Sequence, residues 1–210
     1  MRVLFHVAVL GCVVASAAAQ FSWINNVIDG VASIFQTYEE APHTVVRTFQ
    51  AGFEERQYPA RKWVCTDHVA PRGDSSMSDP FFKLFRYISG ANAAELKIDM
   101  TVPVTSKKRP QGTNSVVTTM CFFIGESHQA SVPAPTEAEV YIENRPQITI
   151  FTRRIGGWPD DADYARESQT LRAMVQAEGI AVLPDDQYYT GYNSPMDFWN
   201  RRNELWLIKA

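Results

Sequence analysis

Residues 79–105 read DPFFKLFRYISGANAAELKIDMTVPVT. Phe81, Leu84, Phe85 and Ile88 recur at helical spacing, Phe82 widens the stripe, and Lys83 and Arg86 fall towards the other side. Asp79 suits the N-cap and Pro80 the first helical turn, where its missing N–H costs nothing. Gly90 is a stop signal. Beyond it the period changes from 3.6 to 2: Leu96, Ile98, Met100, Val102 and Val104 alternate with Lys97, Asp99, Thr101, Pro103 and Thr105. An aromatic helix therefore runs into a half-buried strand over 96–105. The surface between helix and sheet is where a ligand is expected.

Working outward, the preceding chain gives strands over 44–58 and 61–69, broken near Pro59, and a polar loop over 70–78. After residue 105 come a basic turn over 107–114, a β-branched and aromatic strand over 115–125, and a proline-containing loop. The second half repeats this order. Residues 139–144 and 147–155 read as strand material, and 160–178 as a helix with acidic residues in its first turn and Tyr164, Ser168, Leu171, Met174 and Val175 inward. Residues 186–192 and 203–209 read as closing strands. Each half is thus βαββ. EERQYPARKWV at 54–64 matches YIENRPQITIF at 141–151, and IDMTVPVTS at 98–106 matches YYTGYNSPM at 188–196. The expected fold is α+β: a duplicated, pseudo-symmetric βαββ unit forming a distorted antiparallel β-barrel flanked by two helices.

The chain begins with the pattern of a secretory signal: Arg2, an apolar run over 3–14, and Ala17-Ala18-Ala19 before Gln20. Residues 1–19 are read as a cleaved signal peptide, 20–43 as an N-terminal amphipathic helix or arm and 44–210 as the main domain, in a secreted protein. The apolar positions of the arm are Ile24, Val27, Ile28, Val31, Ile34 and Phe35. No later stretch is long and apolar enough to cross a membrane as a helix. The net charge of −3 becomes about −4 without the leader, which argues against nucleic acid or anionic membrane as main partner. Cys65 and Cys121 remain once Cys12 leaves with the leader. They form either one disulfide or two buried thiols.

The residues offer little for catalysis. There is no G-x-S-x-G elbow, phosphate-binding loop or zinc spacing. His43, His68 and His128 fall at loops and strand ends. The expectation is a binding protein, not an enzyme.

EERQYPARKWV, FRYISGAN (85–92), KIDMTVPVTS (97–106), VYIENRPQITIFTR (140–153), YYTGYNSP (188–195) and RRNELWLIKA (201–210) together resemble the SOUL family of haem-binding proteins. That resemblance implies a pseudo-symmetric barrel and non-catalytic binding of haem or another flat apolar tetrapyrrole. For the macrocycle it points to Met77, Phe81, Phe82, Phe85 and Ile88, and for a propionate to Arg86, which matches a family lysine near the haem. The histidine proposed as iron ligand in one branch is Gln57 here, and Ser78 and Asp197 stand at other basic family positions. The metal ligand is therefore unassigned, with His68, Met77 and Tyr58 as substitutes. The competing reading is a secreted protein-interaction module on the same scaffold. The partner-binding segment of some family members corresponds to TLRAMVQAEG (170–179), which lacks the Gly-Asp pair of such motifs.

Overall fold

The computed structural model describes residues 38–74, 76–194, 197 and 199–210. The expected signal peptide and residues 20–37 of the expected N-terminal helix or arm lie outside the described residues; the rest of that segment, 38–43, is not helical and holds the short strand Glu39–Glu40.

Strand β1 (Glu39–Glu40) leads into β2 (Thr44–Phe49), β3 (Phe53–Tyr58) and β4 (Arg61–Pro71). The single strand expected over 44–58 is a hairpin, because Gly52 adopts φ +86° and turns the chain. Helix α1 (Ser78–Ile88) follows, then β5 (Thr101–Val102), β6 (Val104–Gln111) and β7 (Ser115–Phe123). The second half supplies β8 (Val140–Arg145), β9 (Ile148–Ile155), α2 (Asp161–Ala177), β10 (Val182–Gly191) and β11 (Asn203–Lys209).

Two expectations around α1 need correction. Residues 96–100 join no ladder; strand structure starts at Thr101. The buried Asn92 amide explains this. It donates to the carbonyls of Tyr87 (3.0 Å) and Leu96 (2.7 Å) and accepts from the N–H groups of Ala94 and Leu96. Ile98 N–H then bonds the Ile88 carbonyl at 2.8 Å, so the segment is tied to the end of α1 instead of to the sheet. The basic turn expected over 107–114 is mostly strand: Lys107 and Lys108 lie in β6 and pair with Asp186 and Asp161. Only the tip around Gly112 turns.

Nine strands form one antiparallel sheet in the order β2-β3-β9-β11-β10-β6-β7-β4-β8; β1 and β5 pair separately. With β2 set aside, this order reads the same from either end under the equivalences β3/β8, β4/β9, β6/β10 and β7/β11. Each half is therefore ββαββ, one strand more than expected, and its first strand pairs with the other half. The registers agree residue by residue. Arg61 faces Arg145 as Ile148 faces Tyr58, which superposes Pro59 on Pro146 as the first internal match requires. The second match is displaced. Cys121 faces Thr105 as Trp206 faces Tyr188, so Thr105 is the equivalent of Tyr188, seven residues from the Ile98 that sequence similarity aligned with it. Ser106 faces Tyr189 on the pseudo-twofold axis itself.

Alternation sorts the core into two faces. Trp63, Cys65, Cys121, Phe123, Ile150, Trp206 and Tyr58 form one cluster. Val64, Met120 and Phe122 pack under α1, and Phe151, Leu205 and Leu207 under α2, so both helices cover the opposite face. Strands from both ends of the order contribute to the first cluster, which requires the sheet to curl around it. Among the described residues no ladder joins the two ends. The expected barrel is present as this curl, without closure. Burial on both faces explains why Asn203–Ile208 is buried continuously instead of alternately.

Candidate functional site

Helix α1 carries the residues singled out from the sequence, turned from the expected orientation. Its buried residues are Pro80, Leu84, Tyr87 and Ile88; Phe81 is half-buried, while Phe82 and Phe85 are 56% and 44% exposed. Ile88 is therefore core and unavailable to a ligand. Tyr87, unassigned from the sequence, is the buried anchor, and its hydroxyl donates to the Pro133 carbonyl at 2.8 Å. Burial pushes that phenol up to about 12.

The outward aromatics form a continuous patch. Phe81 lies parallel to Phe85 (centroids 6.0 Å, 15°), edge-on to Phe82 (5.7 Å) and tilted on Phe122 (5.3 Å). The inner ring is thus anchored to the sheet and the outer two extend it into solvent. Half-buried Met77 stands at the N-cap, the place expected for Asp79. Asp79 instead occupies the first turn. It accepts from Lys83 and faces His68 Nδ1 at 3.2 Å, and Lys83 holds its carboxyl below the ordinary value.

The cations around the patch are engaged. Arg86 makes a two-pronged pair with Glu137 (2.7 and 2.8 Å), and Lys83 bridges Asp79 and Glu139. Of the candidate iron ligands, His68 and Met77 sit at the N-terminal end of α1. Tyr58 does not: it is buried in the interior, its ring 4.4 Å from Trp206, and burial pushes its phenol up to about 12. Gln57 lies half-buried on β3, opposite Thr44 and Thr149.

The interior holds polar groups that the sequence reading passed over. Glu204, 1% exposed, accepts from Arg56 Nη1 (2.9 Å), Arg202 Nε (2.8 Å), Tyr192 Oη (2.9 Å), Trp206 Nε1 (3.1 Å) and Thr152 Oγ1 (3.3 Å). Burial opposes its ionisation, but Arg56 and Arg202 outweigh burial and hold the carboxyl below its ordinary value. The detectable signal was a lone charged residue inside the apolar run NELWLI. Cys65 and Cys121 are direct cross-strand partners, Cα atoms 4.1 Å apart, joined by a disulfide. The expected inward face of α2 is present, with Ser168, Leu171 and Val175 buried and Tyr164 and Met174 half-buried. Within 170–179 that face puts Leu171, Met174 and Val175 against the sheet.

Residues 38–208 match the family model described as SOUL heme-binding protein. The chain belongs to that family. Heme-binding protein 2 of Homo sapiens is 39% identical over 160 residues, covering 75% of this chain and 78% of that one. Heme-binding protein 1 of Mus musculus is 31% identical over 183 residues, covering 85% and 96%. In structure, the crystal structure of the EcmrR C-terminal domain superposes with a TM-score of 0.53 at 12% identity, covering 75% of this chain and 96% of that one. This last likeness shows the fold alone. In this SOUL member, the family match starts at Tyr38, where the described structure starts. No helix among the described residues is long and apolar enough to cross a membrane.

Proposed function

We propose that this protein binds haem or a related flat tetrapyrrole on the outer face of α1, without catalysis, and carries it outside the cell. The observation that carries this reading is the patch of Phe81, Phe82 and Phe85: two phenylalanines left in solvent beside a ring already anchored to the core. Isolated exposed apolar residues are ordinary, but adjoining stacked ones offer a flat face of the kind a macrocycle covers. Each aromatic removed from water contributes roughly 1.5–3 kcal/mol. The bound group would be held by Phe81, Phe82 and Phe85 with Met77 at one end. Arg86 would meet a propionate by exchanging Glu137 for it, a small rearrangement because the pair is exposed. His68, already oriented by Asp79, is the nearest imidazole in the chain's contacts with α1. The SOUL family and the names of the two relatives support tetrapyrrole binding. The leader-like residues 1–19 and the Cys65–Cys121 pair support an oxidising compartment.

The test is an absorbance titration of residues 20–210 with hemin, repeated with Phe82→Ala/Phe85→Ala and with Arg86→Glu. A saturable Soret change at one equivalent, weakened at least about tenfold by the double substitution, is expected. A saturable change unaffected by both variants refutes the site. Absence of a saturable change refutes haem as the ligand.

A further inference from the structure

Glu204 is not the only charge the fold buries, and Arg145 is one that is only partly satisfied. Arg145 on β8 is 4% exposed. Its guanidinium lies between the rings of Trp63 (4.1 Å) and Tyr188 (4.8 Å). Nη2 donates to Glu143 Oε2 at 2.9 Å and reaches Thr105 Oγ1 at 3.5 Å, whereas Nε and Nη1 have no hydrogen-bond partner among the described residues. Glu204 shows that this interior can surround a charge with partners. Buried N–H groups of an ion that cannot lose its proton are costly when unpaired.

Arg145 also lines a cleft of about 510 Å³ between the β3–β4 turn and the end of the edge strand β8, with Ala60, Arg61, Lys62, Gln129 and Pro146. The cleft is shallow and open to solvent. Charge at the rim is unbalanced. Arg61 is paired with Glu126, and Glu143 offsets Arg145, but among the described residues Lys62 Nζ meets only the Gln129 carbonyl, at 3.0 Å. Arg145 also lines a separate void of about 10 Å³ between Tyr58, Trp63 and Trp206, room for roughly one water.

We propose that this cleft binds a small organic carboxylate, whose oxygens accept from the unpaired N–H groups of Arg145 as the guanidinium turns towards the cleft from between its flanking rings, while its single charge offsets Lys62. Arg–carboxylate pairing in a desolvated, aromatic-flanked setting is the strong form of this bond. The site is independent of the aromatic face of α1, on the other side of the sheet.

The probe is benzoate, with chloride at matched ionic strength as control, followed by the amide and indole N–H resonances of the folded protein. A saturable shift of the Trp63 indole signal with benzoate and not with chloride is expected. Arg145→Met should weaken binding about tenfold or more. Because that variant removes a buried ion and can fail to fold, Lys62→Glu provides the second arm: it should weaken benzoate several-fold with an unchanged melting temperature. A shift that chloride reproduces, a linear response without saturation, or saturation indifferent to Lys62→Glu overturns the proposal and leaves water as the occupant of those N–H groups.

Discussion

Replacing Glu204 by Gln keeps the side chain's shape and removes its charge, which isolates the electrostatic part of the interior network. Four of its five donors converge on Oε2, and Arg202 Nε occupies Oε1. An amide offers one oxygen, so whichever way it turns, an N–H₂ group meets an N–H or O–H donor. Arg56 retains Glu54 at 2.7 Å and Arg202 retains Glu40 at 2.9 Å, so neither guanidinium is stranded. The cost should therefore fall at or below the low end of the roughly 3–5 kcal/mol for breaking a buried pair, about 3 kcal/mol. In a domain of this size that corresponds to a melting temperature lowered by about 6–12 °C. The pH dependence has a definite sign. The Glu204 carboxyl is held below its ordinary value of 4.5, so its stabilisation is present in full above that pH and is lost as pH falls through the folded-state value. The gap between wild type and Glu204→Gln, measured by circular-dichroism melting, should be widest near neutrality and narrow on acidification. A drop of less than about 3 °C, or a gap that does not change with pH, would refute the account of a charged, arginine-held carboxylate.

Two other substitutions separate the elements of the fold. The Cys65–Cys121 bond closes a loop of sequence separation 56, for which chain entropy gives roughly 4 kcal/mol; Cys65→Ala/Cys121→Ala should lower the urea midpoint by most of that, and the wild type should resist alkylation until reduced. Tyr87→Phe removes the bond to the Pro133 carbonyl and should cost about 1–2 kcal/mol, read as a lower urea midpoint at unchanged slope.

How much of this was legible in the sequence depended on whether a signal was local. The helix at 78–88 and the strand at 203–209 follow from period and punctuation, and both stand where the sequence placed them. The duplication was visible in the proline-centred match, because Pro59 and Pro146 mark the same break between two strands. The second match failed because aromatic and small residues recur at β10 without sharing a register with β6; only pairing partners fix register. The run over 96–100 alternates like a strand, yet Asn92 diverts its backbone bonds to α1, and a side chain that competes with a ladder leaves no periodic trace. On α1 the period was right and the phase was not. Six aromatic and aliphatic residues in eleven exceed what one face can bury, and Tyr87 took the place assigned to Phe85 because its hydroxyl has a carbonyl to meet. Glu204 and Arg145 needed the strand order to be known, because it is pairing that brings Thr152 and Arg56 to the one and Trp63 to the other.

The duplicated halves are fastened differently at equivalent points. Under the pseudo-twofold, the Cys65–Cys121 pair of the first half corresponds to Thr152–Trp206 of the second. One half holds the position with a covalent bond, the other with a buried indole that Tyr58 covers and Glu204 anchors. Glu204 itself corresponds to Thr119, which lies nearer the surface and bonds Asp67. Tyr58 and Arg145 are equivalents too, each carried into the other half by the exchanged first strand. A phenol there packs its ring on Trp206 and completes the interior. A guanidinium packs its flat face on Trp63 and still has edge N–H groups to satisfy. A symmetric scaffold thus yields an asymmetric interior: one position is filled by a phenol ring, and its equivalent keeps a guanidinium that Glu143 satisfies only in part. That asymmetry places a small-anion site in the crevice, while the aromatic site on α1 faces outward from the opposite side of the sheet, so the two can be tested by separate substitutions.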